Sequence, residues 1–318
     1  MLPDALDNLA MHLIVPFAAP LSQPGRDTLR ALALPQLGAL LAHWAEVTRD
    51  DGDEWSFSAP HERALARALG WAGGDGCLPW AARSAAADGV QTDALAWGLV
   101  SPVHWHLGTD QVSLIDPATL QLDDATSHEL FDAVQPLFTS EGFVMLYGSA
   151  TRWYIAHETL AELRCASLDR VIGRNVDAWL TDDPAVRLVR RLQNEVQMLL
   201  YTHPANERRE AAGLPAVNSF WLSGCGVAQP ARGREPQVDE RLRAPALADD
   251  WAAWGRAWRS LDAGPIAELR AAASSGDNTR LTLCGERSDA GFEAVAGAWP
   301  RLRAWWQRPA PAALLERL

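Results

Sequence analysis

The sequence predicts an α/β protein: a mixed sheet with flanking helices, followed by a Trp-rich helical C-terminal part. Three observations predict it. Short apolar, β-branched runs alternate with stretches of helical periodicity over the first two thirds of the chain. Apolar–polar alternation on either side of glycine turns, at 97–115 and again at 143–156, marks neighbouring antiparallel strands. Tryptophans at 251, 254 and 258 then recur at i, i+3, i+7, which is one face of a helix.

The first run, 12–17 (HLIVPF), is apolar on both faces and closes on proline and small residues, as a buried strand does. Between 26 and 48 leucines and alanines keep helical spacing. Pro35 removes a backbone donor there, so the segment reads as one broken helix or two short ones. Pro60 is preset for the first turn of a helix over 61–69, and the Gly-rich WAGGDGCLPW beyond it is loop. Strands at 97–107 and 111–115 flank Gly108-Thr109-Asp110 as a hairpin, with Val103, Trp105 and Leu107 on one face and His104 and His106 on the other. A helix over 123–138 and a strand, turn and strand over 143–156 follow. Asp182-Asp183-Pro184 then starts the strongest helix, which runs to about 201. The strand at 217–222 ends in Ser223-Gly224-Cys225-Gly226, where the glycines mark a tight turn or a close backbone approach. Segment 229–243 has almost nothing to bury and reads as an exposed loop. Beyond it the pattern gives helices at 250–260 and 266–273, a strand at 280–284, and a helical tail over 292–318 that breaks at Pro300 and Pro309. The expected organisation is an α/β core over 1–228, a loop or linker over 229–248, and a helical part with one strand over 249–318, packed on the same core.

Hydrophobic residues make up 48% of the 318 and charged residues 21%, which is ordinary globular usage and excludes a disordered chain. Basic residues number 28 against 40 acidic ones, a net charge of −12, and every basic residue is Arg. The summed field repels phosphate backbones, so nucleic acid is not an expected partner. Without Lys there is neither a Schiff-base nucleophile nor a P-loop lysine. The four cysteines, Cys77, Cys165, Cys225 and Cys284, form no CxxC pair and read as reduced thiols. The apolar run at 11–19 follows Asp4 and Asp7 and contains Pro16, unlike a secretory signal, and no stretch reaches the roughly 18 apolar residues of a membrane span. The expected location is the cytoplasm, with no membrane partner.

Two clusters carry candidate chemistry. His104 and His106 aim at one strand face, with Asp110 close in sequence, as a weak metal site. The glycine-flanked backbone of Ser223, Gly224 and Gly226, with Asn218 and Trp221 beside it and Arg187, Arg190 and Arg191 on the preceding helix, would hold a small anion without lysine. Cys225 and Cys284 would sit side by side if their strands were neighbours. Trp251, Trp254 and Trp258, if exposed, would offer a patch for a protein partner.

Three segments resemble a known family: MHLIVPFAAP at 11–20, NEVQMLLYTHPANERREAAGLPAVNSFWLSGCG at 194–226, and LTLCGE at 281–286. They are similar to the RpfE-type regulatory proteins of proteobacteria, many of which are labelled cofactor-independent phosphoglycerate mutases, and the similarity spans nearly the whole chain. The stretch NSFWLSGCG resembles the Asn, apolar, Trp and Gly-x-Gly segment of archaeal-type mutases, a class that implies two metal ions, a Ser nucleophile and several Asp and His ligands. Here the first strand continues into Phe17-Ala18-Ala19-Pro20, where that class carries an Asp-Gly metal motif, and no His follows His203. The expected function is therefore a non-catalytic, regulatory protein that binds a small phosphate-bearing ligand and needs no cofactor. The alternatives are a metal-dependent phosphomutase or phosphatase using His104, His106 and Asp110 with Ser149 or Ser223, and a protein-interaction scaffold.

Overall fold

The computed structural model describes residues 9–92, 94–108, 111–180, 184–294 and 310–318. Its strands are β1 (Met11–Ala19), β2 (Trp44–Asp51), β3 (Ala96–Leu107), β4 (Val112–Ile115), β5 (Val144–Ser149), β6 (Arg152–Ala156), β7 (Ser219–Val227), β8 (Gln237–Val238), β9 (Thr279–Gly285) and β10 (Ser288–Ala294). Its helices are α1 (Gln23–Ala31), α2 (Pro35–Leu41), α3 (Pro60–Ala68), α4 (Trp80–Ala87), α5 (Asp124–Ser140), α6 (Leu168–Val171), α7 (Pro184–Tyr201), α8 (Pro204–Ala211), α9 (Arg243–Leu247), α10 (Trp251–Leu261) and α11 (Ala267–Ser274), with a last turn at Pro311–Leu315. This is a mixed α/β architecture with two sheets and flanking helices, as the sequence predicts. No helix among the described residues is long and apolar enough to cross a membrane.

The grouping of the elements differs from the expected one. A boundary does fall near 228, but residues up to Ala72 form one compact unit with those from Pro230 onward, and Gly73–Gln229 form the other. The reason is the parallel pairing of β1 with β9, in which Met11 faces Thr279 and Val15 faces Leu283. The two ends of the chain thus share one sheet.

In the first unit the strand order is β2-β10-β9-β1-β8, with β9 and β8 parallel to β1, β10 antiparallel to β9, and β2 antiparallel to β10. The sheet is covered on both faces, which is why 12–17 reads as an uninterrupted apolar run. Leu13, Val15, Leu281 and Leu283 bury against α1, α2, α10 and α11, while Ile14 and Cys284 meet Ala64 of α3. Trp254 and Trp258 are fully buried in this core, with ring centroids 6.1 Å apart in edge-to-face contact, and Trp251 is half-buried. The exposed Trp patch is therefore not formed. The indole stripe is the apolar face of α10, and the helix buries it.

Two further expectations change here. The C-terminal part holds two strands rather than one, because 288–294 pairs with both β9 and β2; the expected breaks at Pro300 and Pro309 lie outside the described residues. Segment 229–243 is exposed over 230–235 as expected, but it is not loop throughout: Gln237 and Val238 pair with Leu13 and Ile14, and Arg232 N–H donates to Leu69 O. The strand β2 was not anticipated. Its side chains are mostly exposed or half-buried, so it lacks the apolar signal that marks a strand in sequence.

Titratable groups cluster on the α3 face of this sheet. His12 is buried, with Nε2 2.8 Å from Thr282 Oγ1. Burial, with Arg280 as a lesser cause, holds its pKa down at about 3. On the α3 face Asp50 pairs with Arg63 at 3.0 Å and with Arg67, and Arg67 also reaches Asp289. Asp289 is fully buried, and its Oδ2 has no hydrogen-bond partner. Desolvation outweighs the pull of Arg67 and raises its carboxyl to about 6.

The second unit is an antiparallel sheet around the 12-residue strand β3. One edge of β3 pairs with β6 along Trp97–Val100 and with β4 along His104–Leu107; the other edge pairs with β7. Phe138 of α5 and Val196 and Leu200 of α7 bury against Phe220 and Trp153 on one face. Ala81, Ala82 and Ala85 of α4 cover Trp97 and Tyr154 on the other.

The two buried groups of the first unit set opposite pH dependences. His12 takes up a proton below 6.5 when unfolded and only near 3 when folded, so the fold loses stability as pH falls through that window. Asp289 keeps its proton up to about 6 when folded and releases it at 3.8 when unfolded, so acidification between those values favours the fold. The windows overlap and offset each other. The expected result of urea unfolding across pH 6 to 3.8 is a stability that rises on acidification in His12→Gln and falls in Asp289→Asn, with the unsubstituted chain between them.

Candidate functional site

The segment Ser223 to Gly226 is part of β7 and not a turn. Gly224 has φ +65°, and a Cβ there would lie 2.8 Å from Ala81 N and 3.0 Å from Trp80 Cβ; at Gly226 it would lie 3.1 Å from Pro79 Cβ. Of the two readings of these glycines, close backbone approach is the one realised. The start of α4 rests directly on the strand, which takes this backbone away from a ligand.

The other residues expected around an anion are dispersed. Asn218 spans the backbone of β3: its Oδ1 accepts from Trp105 N–H at 2.7 Å, its Nδ2 donates to Trp105 O at 3.0 Å, and its own N–H donates to Val103 O. Ser223 is buried. Arg187 is exposed on the outer side of α7, and Arg191 pairs with Glu141 at 2.6 Å and with Glu195 at 3.7 Å. The side of α7 that meets β7 is formed instead by Val189, Leu192, Gln193 and Val196.

His104 and His106 do share a face, with ring centroids 6.4 Å apart, but His104 Nδ1 is committed to Ala216 O at 2.7 Å. Asp110 lies outside the described residues. Ser149 sits opposite Arg152 at the end of the edge strand β5. Among the described residues no group of three or more His, Cys, Asp or Glu side chains is arranged to hold a metal ion. The side chains at the end of β1, from Phe17 to Pro20, supply no ligand type either. The described side chains at these positions therefore do not assemble the ligand set of a two-metal centre.

One predicted residue, Trp221, does line an open cleft. The cleft lies between α7, β7 and the segment at 163–166, encloses about 20 Å³ and is otherwise open to solvent, with Arg164, Cys165, Trp179, Gln193 and Trp221 among its walls. Each wall is fixed by a bond made elsewhere. Trp221 Nε1 donates to Ala166 O at 2.9 Å, Gln193 Nε2 donates to Phe220 O at 3.2 Å, and Cys165 N–H donates to Gly76 O at 3.0 Å. Arg164 bonds Asp75 through its Nη2 at 2.5 Å. At the Leu180 wall Arg190 Nη2 donates to Leu180 O, and its Nε is buried with no hydrogen-bond partner. Cys225 sits behind this wall beside Cys165, with the sulfurs 3.6 Å apart. Cys284 lies on β9 of the other sheet, so the condition for placing it beside Cys225, neighbouring strands, is not met. Sequence reasoning missed Arg164, Cys165, Trp179 and Gln193. A loop residue carries no periodic signal, and Gln193 reads as one more residue of an amphipathic helix.

No protein-family model matches the sequence, and no curated protein matches it. Among solved structures the chain is similar to a cofactor-independent phosphoglycerate mutase from Thermoplasma acidophilum, at 14% identity over 91% of this chain and 90% of that chain, with a TM-score of 0.37. It is also similar to the PH0037 protein from Pyrococcus horikoshii, at 11% identity over 91% and 88%, with a TM-score of 0.40.

If Gly224 and Asn218 serve the framework of β7, their substitution is read in stability. Gly224→Ala meets both a left-handed backbone and the 2.8 Å approach to Ala81, and is expected to cost about 1–3 kcal/mol or more. Asn218→Ala leaves both polar groups of Trp105 without their amide and is expected to cost about 1–3 kcal/mol. Gly213→Ala, at φ +74° in open space, is the control for strain alone, at about 1 kcal/mol. Denaturant unfolding of the three variants measures the order.

Proposed function

We propose that this chain is a binding protein with a regulatory role, and that the cleft between α7, β7 and segment 163–166 takes a small organic anion with an apolar body. The observation that carries the reading is the cleft itself. Its walls are mainly apolar, two of them are indoles, and the polar groups around it are few: Arg164, Gln193 and, at the Leu180 wall, Arg190. That is the usual composition of a small-molecule site, in which apolar area supplies affinity and a few polar groups fix orientation. Arg164 is already paired with Asp75, so the group that favours a phosphate or carboxylate is Arg190, whose buried Nε has no hydrogen-bond partner. Binding is the activity these groups support, since a guanidinium, an amide and a thiol do not make an acid–base pair for phosphoryl chemistry. The RpfE-type regulatory family that segment 194–226 resembles points the same way, and four free thiols suit a cytoplasmic setting.

Titration of tryptophan fluorescence with 3-phosphoglycerate, phenyl phosphate and a neutral analogue of each tests the reading. The expected result is saturable binding of at least one anion, stronger than its neutral analogue. Val186→Phe, which fills the cleft, is expected to weaken binding about tenfold or more, equivalent to about 1.4 kcal/mol, and, since Val186 is buried, is compared at a temperature where the variant is folded. Absence of saturable binding, or equal binding by Val186→Phe, overturns it.

A further inference from the structure

Cys165 and Cys225 lie 60 positions apart in sequence, yet their sulfurs are in van der Waals contact at 3.6 Å. The two thiols differ in access. Cys225 is fully buried in β7, whereas Cys165 is half-exposed and forms part of the cleft wall. They also differ in freedom. The sulfur of Cys225 lies 3.3 Å from the position a Cβ would take on Gly98, so the strand beneath holds it in place. Cys165 belongs to an irregular segment with no regular ladder around it. A disulfide needs the sulfurs at about 2.05 Å, a closure of about 1.5 Å that a loop can supply and a strand cannot. We propose that Cys165 and Cys225 are an oxidisable pair, in which a hydroperoxide entering the cleft reacts with Cys165 and Cys225 resolves the product as a disulfide.

The Cys165 sulfur attacks the terminal peroxide oxygen, the O–O bond breaks, the Cys165 thiol proton passes to the departing oxygen, which leaves as alcohol or water, and Cys165 becomes a sulfenic acid. The Cys225 sulfur then attacks the Cys165 sulfur, the S–O bond breaks, a second water leaves with the Cys225 proton, and the S–S bond forms. Two thiols are oxidised by two electrons and one peroxide is reduced. The order of events follows from the access of the two thiols: the contact with Cys165 and, after it, burial keep Cys225 protonated, and burial keeps it out of reach of the oxidant, so that it serves only as the resolving thiol. Cys77 is the competitor. It is half-exposed, its sulfur lies 3.8 Å from Glu162 O, and its backbone neighbour Gly76 bonds Cys165. The proposal does not depend on whether the cleft takes a ligand.

The test is made on the full chain. The reduced protein is exposed to hydrogen peroxide, unfolded, alkylated, digested and mapped by mass spectrometry. The expected map contains a Cys165–Cys225 linked peptide, with Cys77 and Cys284 alkylated and the thiol count reduced from four to two. Dithiothreitol restores all four. Cys77→Ser is expected to give the same link, and Cys225→Ala is expected to stop at a dimedone-reactive Cys165. A Cys77–Cys165 link, sulfinic acid at Cys165 without any link, or four intact thiols overturns the proposal. The map of the unsubstituted chain decides the matter even if Cys225→Ala fails to fold.

Discussion

The parallel pairing of β1 with β9 is the constraint on which the rest of the first unit depends. It joins residues 11–15 to residues 279–283 and places β1 between β9 and β8. Closing a loop that long costs entropy, but the cost grows only logarithmically, by about 0.6 kcal/mol per doubling of length. Leu13, Val15, Leu281 and Leu283 are each fully buried by the pairing, at about 1.5–3 kcal/mol apiece, so apolar burial outweighs the added length. A second compact unit can therefore be carried inside the sequence of the first. The His12–Thr282 bond adds specificity, because a slip of one residue would turn Ile14 and Val15 to the wrong faces and leave a buried imidazole without its hydroxyl.

Strand β3 plays the corresponding part in the second unit. Twelve residues let one edge serve two partners in succession, β6 and then β4, while β7 runs along the other edge. The pairing with β7 begins at Ser219, and Asn218 extends it by one step with its side chain, whose amide mimics a peptide group against both polar atoms of Trp105. An Asn before an apolar strand is thus explained by backbone satisfaction. The histidine pair on the same strand has an equally plain account for one member, since His104 spends a ring nitrogen on Ala216 O.

Much of the fold was legible because its elements carry periodic signals. The buried strand at 12–17, the break at Pro35, the hairpin carrying His104 and His106, and the long helix from Pro184 follow from periodicity, proline stereochemistry and side-chain alternation, and the structure contains each of them. Strand β2 was illegible because Val47 and its neighbours stay largely exposed, and the grouping of the chain ends was illegible because parallel pairing leaves no local mark. The tryptophans of α10 were correctly placed on one face, but a sequence cannot say what covers that face. Of the candidate site, only Trp221 lines the cleft. Arg187 and Arg191 lie on α7 as expected, yet the side of that helix that meets β7 belongs to Val189 and Gln193.

The glycines of β7 connect the two halves of this misreading. Glycine at 224 and 226 admits α4 to one side of the strand at distances no side chain would allow. Glycine at 98 leaves space on β3 for the Cys225 sulfur and for Leu222, which a Cβ would meet at 3.3 and 2.8 Å. The small residues that resemble an anion-binding turn therefore act as packing devices. They seat a helix on one side of the sheet and a thiol on the other, and that thiol ends up against the one cysteine that lines the cleft. A larger side chain at any of the three positions would shift β7 relative to its neighbours and separate the sulfurs. The composition of the strand and the contact between Cys165 and Cys225 thus have a common physical origin.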